Sequence, residues 1–522
     1  MIDGDFLWGL TFALSVFGAL LALPVTWLLL RRYRTSVIRH MNQRSAADTA
    51  LTPSVAYASQ VQRHPVAPDP EKIARGARRN VIFVIAIGLL TGLGYATLYL
   101  AWNDMMSLHD LIFFTLLYSW VTVPGVWIVT RGARRWVLGS VGVYFALLII
   151  EDQFADGPPL NFLAIWVWYL IPTAAVILFL SRPLRGVGTL VLGAMMAAIL
   201  GFFGVVGSDP LLLAWVELAL RLGINDVFMA ILAIQVAGFL IFLAVAMGVV
   251  WLLSHWYRRN GFSDQMLLLG SVFLVFAIDS STSISSADWA AFGVGLLVYV
   301  GIGAIAYSSW RLLSDPPASS GLLMLRVFSP RPQGYRLLEA ITARWRHVGP
   351  VRMIGGPDLA VASVEPDEFL TFVSGRLRRL FIDSAEALDE RMRSLDSHAD
   401  PDGRFRVEEF FCFDDTWRST VTALLRQSDV VIMDLRGFGP DNQGCIDELE
   451  LLKGELAMPR TVLLVDGETD RPLLDSALGM ADDGPTLLMI DVEADPDGAV
   501  MALITATARE PRVPDGRFSA SD

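Results

Sequence analysis

Apolar runs of about twenty residues recur through residues 1–310, and they constrain this chain more than any other feature. A helix that crosses a bilayer needs about 20 such residues, since each adds about 1.5 Å of rise. Its backbone polar groups are then satisfied within the segment. Runs at 6–30, 81–101, 111–130, 136–150, 160–180, 187–206, 227–253, 266–279 and 289–308 meet or approach that length. They predict a transmembrane helical domain of about nine helices over 1–310. The runs 136–150 and 266–279 are short, so they are expected to tilt less, extend into their flanks or re-enter. The first run reaches Leu30 and follows Asp3 and Asp5 rather than a basic stretch, so it reads as a retained span, not a signal peptide.

Arginines orient the bundle. With the N-terminus outside, the inside segments 31–80, 131–135, 181–186 and 254–265 hold 17 Lys+Arg, and the outside segments hold one, Arg221. Short loops follow this positive-inside bias. An odd number of spans then puts the C-terminal part in the cytoplasm, a topology that suits a multi-pass protein of the inner (plasma) membrane. Arg-Gly-Ala-Arg-Arg occurs at 75–79 and at 131–135, each time before an inside-to-outside span, and arginine anchoring explains the repeat. The stretch 211–222 carries Glu217 and Arg221 four residues apart. It reads as a helix lying in the outer interface, with the two side chains paired.

Charged groups inside a bilayer are expensive and mark transport or proton paths. Few occur here: Glu151 and Asp152 sit at the end of a run, Asp279 closes the eighth run, and Gln235 is neutral. They read as boundary residues, which weakens the view of a transporter regulated by its soluble part. His109 and His255 fall at opposite edges, which disfavours haem, and no metal-ligand cluster is visible among the six histidines.

Beyond residue 310 the character changes. Residues 311–522 hold 23 Lys+Arg and 37 Asp+Glu, whereas 1–310 hold 18 and 16. An acidic soluble part repels phosphate backbones, so nucleic acid is not an expected partner. The two cysteines, Cys412 and Cys445, make no disulfide framework. Residues 311–320 form a breaker-rich linker, 321–508 a folded domain and 509–522 a disordered tail. Strands are predicted at 322–328, 351–354, 408–413, 429–435, 461–466 and 486–491. Helices are predicted at 334–346, 366–395, 416–427, 443–457, 471–479 and 497–507. Such alternation implies an α/β domain with a parallel sheet, flavodoxin-like in kind. Open sheets of this class bind ligands beyond the carboxyl ends of their strands. Phe328, Ser329, Asp414, Asp415, Arg436 and Asn442 fall in loops at that edge and are the candidate ligand-binding residues. Gly355-Gly356-Pro357-Asp358 lacks nucleotide-loop spacing and reads as a turn.

One motif goes further. A helix ending at Ser428, the strand Asp429–Leu435, a loop, and then Cys445, Glu448 and Leu449 as Cys-x-x-Glu-Leu resemble the TIR (Toll/interleukin receptor) domain. Gly444 and Asn442 stand where that family has tryptophan and serine. The resemblance implies a membrane-anchored signalling or defence protein that self-associates through this domain. It implies no firmly bound cofactor. NAD would be a substrate cleaved at the nicotinamide–ribose bond, with Glu448 as the catalytic carboxylate. Other members of that family are non-catalytic, so a nucleotide-sensing or protein-interaction module is the alternative. Within an acidic helix, beside Asp447 and Glu450, Glu448 also reads as a solvated surface acid.

Overall fold

The structure is a computed structural model that describes residues 4–41, 70–130, 134–153, 172–181, 187–204, 209–224, 226–285, 289–313, 320–326, 332–356, 366–455, 457–479 and 486–489, with positions 43 and 184. The chain divides into two compact units. One comprises Met1–Arg34, Gly76–Ser314 and Ser363–Gly375; the other comprises Thr35–Arg75, Asp315–Ala362 and Arg376–Asp522.

The first unit is helical. Among the described residues, six helices are long and apolar enough to cross a membrane: Val16–Met41, Ala74–Trp102, Leu108–Val129, Val227–Tyr257, Asp264–Ser281 and Ala290–Leu313. That is fewer than the nine spans expected, and length explains two of the differences. Gly188–Gly204 has 17 residues. At about 1.5 Å per residue it falls short of a hydrocarbon core of about 30 Å. Arg134–Asp152 has 19 residues but spends both ends on charge, with Arg134 and Arg135 at one and Glu151 and Asp152 at the other. Most of the run 160–180 lies outside the described residues.

The run 266–279, by contrast, is longer than it looked, because the helix runs Asp264–Ser285. Its serine-rich tail stays helical, and Asp279 is 2% exposed within it rather than capping its end. Leu108–Val129 passes through a 3-10 turn, Ser119–Val121. Pro124 fits that break in the α-helical ladder: it has no N–H to give the Trp120 carbonyl, and its ring crowds that turn. Close approach of the helix Pro70–Trp102 to this span depends on Gly92, where a Cβ would sit 2.3 Å from the Thr115 carbonyl oxygen. Tyrosines join the helices through backbone carbonyls: Tyr95 donates to Gly295 O at 2.9 Å and Tyr299 to Gly270 O at 2.9 Å. A helix is present at Asp209–Arg221, with Arg221 2.7 Å from Glu217 as the four-residue spacing predicts. The helix Pro366–Val373 also belongs to this unit, and Tyr33 donates to its Glu368 at 2.6 Å.

The second unit is the α/β domain. Its strands are β1 (Leu322–Arg326), β2 (Val351–Ile354), β3 (Phe381–Ile382), β4 (Val407–Cys412), β5 (Val430–Asp434), β6 (Thr461–Val465) and β7 (Thr486–Met489). All pair parallel, in the order β3-β4-β2-β1-β5-β6-β7. The predicted strands are therefore present, within a residue or two at the ends. The arrangement is not the flavodoxin-like order 2-1-3-4-5, in which the second strand is an edge, because β4 and β3 lie beyond β2. With the two-residue β3 set aside, the order is 3-2-1-4-5-6 by position in the chain, the dinucleotide-binding arrangement.

The predicted helix 366–395 is in fact three pieces. Gly375, at φ +71, breaks it, and the apolar pair Phe381-Ile382 joins the sheet edge instead. Helix Ala385–Arg393 then starts at a Ser384 cap. The predicted helix 497–507 and the tail 509–522 lie outside the described residues.

The core explains why the central strands read as continuous apolar runs. Leu323 and Leu325 of β1, Val431 and Met433 of β5, and Leu463 and Val465 of β6 share one face with Leu424, Leu449, Leu452 and Leu474. Leu322, Met324, Ile432 and Leu464 are as deeply buried as that face. A parallel sheet covered on both sides needs this composition. Each such side chain contributes roughly 1.5–3 kcal/mol by leaving water. Charge also enters the interior: Arg352 of β2 lies 3.7 Å from its register partner Glu408 of β4, and Arg391 approaches the same carboxylate at 3.5 Å.

Candidate functional site

In a doubly wound sheet the crevice opens where successive connections leave for opposite sides. Here that place lies between β1 and β5, since β2 and β4 extend the sheet one way and β6 and β7 the other. Arg326 ends β1 and is the register partner of Asp434, which ends β5. The helix Gln443–Gly454 follows β5 and brings Cys445 and Glu448 to the same edge.

The helix period decides what Glu448 faces. Cys445, Glu448, Leu449 and Leu452 are its buried residues, spaced i, i+3, i+4 and i+7 as one face requires. Asp447 pairs with Arg418, and Glu450 is exposed. Glu448 is thus 4% exposed, unlike the solvated acids beside it. Among the described residues no hydrogen-bond donor reaches its Oε2. Burial pushes its carboxyl up to about 8; the Arg326 charge pulls the other way and Asp447 adds to the rise. A buried carboxyl with an unsatisfied oxygen costs free energy, and such groups cluster at functional sites. The Cys445 thiol is also pushed up, by burial first and then by Glu448 and Asp434, so it is not a ready nucleophile.

The surrounding loops are braced. Arg436 folds back on Asp434, donating from Nε and Nη2 at 2.8 and 2.6 Å. The Asp466 carboxylate accepts from Gly437 N at 3.0 Å and from Thr469 Oγ1 at 3.0 Å, tying the loop after β5 to the loop after β6. Gly437 has φ +69, a conformation that favours glycine. Asn442 Oδ1 accepts from Gly439 N at 2.9 Å and closes the turn before the helix.

The candidate ligand-binding residues do not all converge. Arg436 and Asn442 lie at the β5 end, both already engaged within the loop. Asp414 and Asp415 are exposed in the turn after β4. Three strand spacings separate β4 from β5, about 14 Å in all. Thr416 occupies the cap position there, but its hydroxyl accepts from Phe413 N at 3.0 Å and donates to Ile382 O at 2.9 Å. Phe328 and Ser329 lie outside the described residues. Gly355 packs against Phe411, whose ring would be 2.9 Å from a Cβ, so close packing accounts for it. Cys412 is buried, its thiol pushed up to about 12 by desolvation. Among the described residues no group of three His, Cys, Asp or Glu is placed to hold a metal ion.

Sequence reasoning missed Arg326, Asp434 and Asp466. The available signal was an arginine ending the apolar strand Leu-Leu-Met-Leu-Arg, at a position where both faces are covered. In the helical unit two of the three acids read as boundary residues are also buried: Asp279 at 2% and Glu151 at 8%, the latter 3.1 Å from His109. No protein-family model, curated protein or solved structure matches the chain.

Proposed function

We propose that this protein is a membrane-anchored signalling or defence protein whose α/β domain, TIR-like in its Cys-x-x-Glu-Leu helix, binds NAD at the strand switch point and hydrolyses it. One observation carries the reading: Glu448, buried with an oxygen that no described donor satisfies, stands at the edge where this sheet class holds nucleotides. The chemistry fits a carboxyl of this kind. Cleavage breaks the bond from the ribose C1′ to the nicotinamide nitrogen, and the leaving ring takes the electron pair and becomes neutral. Water bonds to C1′ and gives up its proton. An ionised Glu448 stabilises the oxocarbenium-like centre and accepts that proton. A carboxyl held near 8 is mostly protonated at neutral pH, but the pyridinium of NAD favours its charged form. Binding is therefore expected to release a proton.

The basic loops support an N-terminus outside and the α/β domain in the cytoplasm, in the inner membrane. That orientation needs an odd number of crossings, so it requires either one or all three of Arg134–Asp152, Gly188–Gly204 and the run 160–180 to cross with the six long spans. Clustering of the α/β domains would assemble the active form.

The strand order favours a second reading, a dinucleotide-sensing module without turnover. Nicotinamide release by the full chain in lipid nanodiscs separates the two. Turnover by wild type that Glu448→Gln abolishes is the expected result. NAD binding without nicotinamide release favours the sensor. Release that persists in Glu448→Gln removes Glu448 from the mechanism.

A further inference from the structure

The first span ends in arginines, and Arg34 is placed differently from its neighbours Arg31 and Arg32. Arg31 lies over the ring of Trp27, 5.2 Å from its centroid, and both side chains are exposed. A tryptophan beside an arginine at the end of a span marks the headgroup level of a bilayer. Arg34 follows one turn later, about 4–5 Å further along the helix axis. Arg32 is exposed, whereas Arg34 is half-buried, with its Nε and Nη2 both shielded. Among the described residues no acceptor reaches either nitrogen. The helix Gly4–Met41 carries a single acid, Asp5, near its other end, and Glu368 accepts from Tyr33 instead. A charged donor that is shielded and unmatched costs free energy until an anion meets it.

Other arginines of this chain show what that edge of the guanidinium takes. Arg426 grips Glu455 through Nε and Nη2, each at 2.8 Å, and Arg436 grips Asp434 through the same two atoms. Two oxygens of one anion fit the fork, and phosphate fits it as carboxylate does. We propose that Arg34 grips the phosphate of an anionic phospholipid, seated at the arginine-rich end of the first span. The half-buried side chain turns its fork outward as the headgroup arrives. Arg31 and Arg32 surround the place with positive charge, which favours a headgroup of net negative charge over a zwitterionic one. A free phosphate ion offers the same oxygens. The lipid is favoured because the same helix exposes Phe17, Leu20, Leu21 and Leu28 below Trp27, an apolar surface along which acyl chains lie.

The test is native mass spectrometry of the delipidated full chain in detergent, with phosphatidylglycerol, phosphatidylcholine and inorganic phosphate as probes. Wild type is expected to retain phosphatidylglycerol in preference to phosphatidylcholine. Arg34→Gln is expected to hold phosphatidylglycerol about tenfold more weakly. Arg34→Lys keeps the charge without the fork and is expected to bind it weaker by about threefold. Arg32→Gln removes the same charge from an exposed position and is expected to change affinity by under about twofold. If Arg34→Gln does not fold, Arg34→Lys decides alone. Affinity unchanged from wild type in whichever of the two folds overturns the proposal. A loss in Arg32→Gln as large as in the Arg34 variant also overturns it, because the effect is then diffuse charge. Phosphatidylcholine bound as tightly as phosphatidylglycerol does the same. Displacement of phosphatidylglycerol by millimolar inorganic phosphate assigns the fork to a free ion and overturns the lipid.

Discussion

Two glutamates are buried in the same domain, and they are buried differently. Glu408 lies between strands, 3.7 Å from Arg352 and 3.5 Å from Arg391. Glu448 lies at the carboxyl edge with Oε2 unmatched by any described donor. Desolvation raises both carboxyls, and charge from arginine opposes the rise in each. Glu408 is answered by two arginines at ion-pair distance and holds β2, β4 and the helix Ala385–Arg393 together. Each keeps an Oε2 that no described hydrogen-bond donor reaches, but Glu408 has two arginines at ion-pair distance, whereas Glu448 has one arginine charge acting on it, at the edge where this class of sheet receives ligands. A buried acid is structural when its partners are within reach, and a site candidate when they are not.

The comparison can be broken first at Glu408. Replacing it with alanine strands two arginines, one of them buried, and is expected to cost about 3–5 kcal/mol, read as a fall in the unfolding midpoint of the full chain. Glu448→Gln should move the other way. Between the ordinary glutamate value and about 8, the folded state holds a proton that the unfolded chain has released, so stability falls as pH rises through that window. Glutamine does not titrate, so the variant should be more stable by roughly 3 kcal/mol near neutrality, with the gain largest above about pH 8 and gone at low pH. A melting series across pH checks both size and sign. Next, Arg436→Gln frees Asp434 and loosens the loop after β5, at about 1–3 kcal/mol, with faster amide exchange at Gly437 and Phe438 as the local readout. The smallest effect belongs to Asp447→Asn. Its partner Arg418 is exposed, so the lost pair is worth under about 1 kcal/mol, while the Glu448 carboxyl should titrate slightly lower.

Much of this was legible from the sequence, for different reasons in the two units. The strands were placed within a residue or two because a parallel sheet buried on both faces demands runs such as Val-Val-Ile-Met. Their order was not, since whether β4 lies beside β2 or β5 depends on packing between distant segments. The span count overshot because hydropathy alone does not register where charge shortens a helix, as at Glu151 and Asp152. The helix through Asp279 was cut short for the opposite reason: hydroxyls in spans can bond their own helix, as Thr91 does to Ile87 O at 2.7 Å, so serine and threonine need not end one. Glu448 was visible through its motif. Its burial was not, because only the helix phase distinguishes it from Asp447 and Glu450. Arg326 carries no motif, and its place opposite Asp434 is set by pairing with β5, far along the chain.

The central claim is that Glu448 is a buried, mostly protonated carboxyl at neutral pH, poised at the switch point. The most direct measurement is the infrared difference between wild type and Glu448→Gln in nanodiscs, recorded from acid to alkaline pH. The account predicts a protonated-carboxyl band at neutral pH that fades with a midpoint near 8. No such band at neutral pH, with Glu448 titrating in the range of a solvent-exposed glutamate, would contradict it.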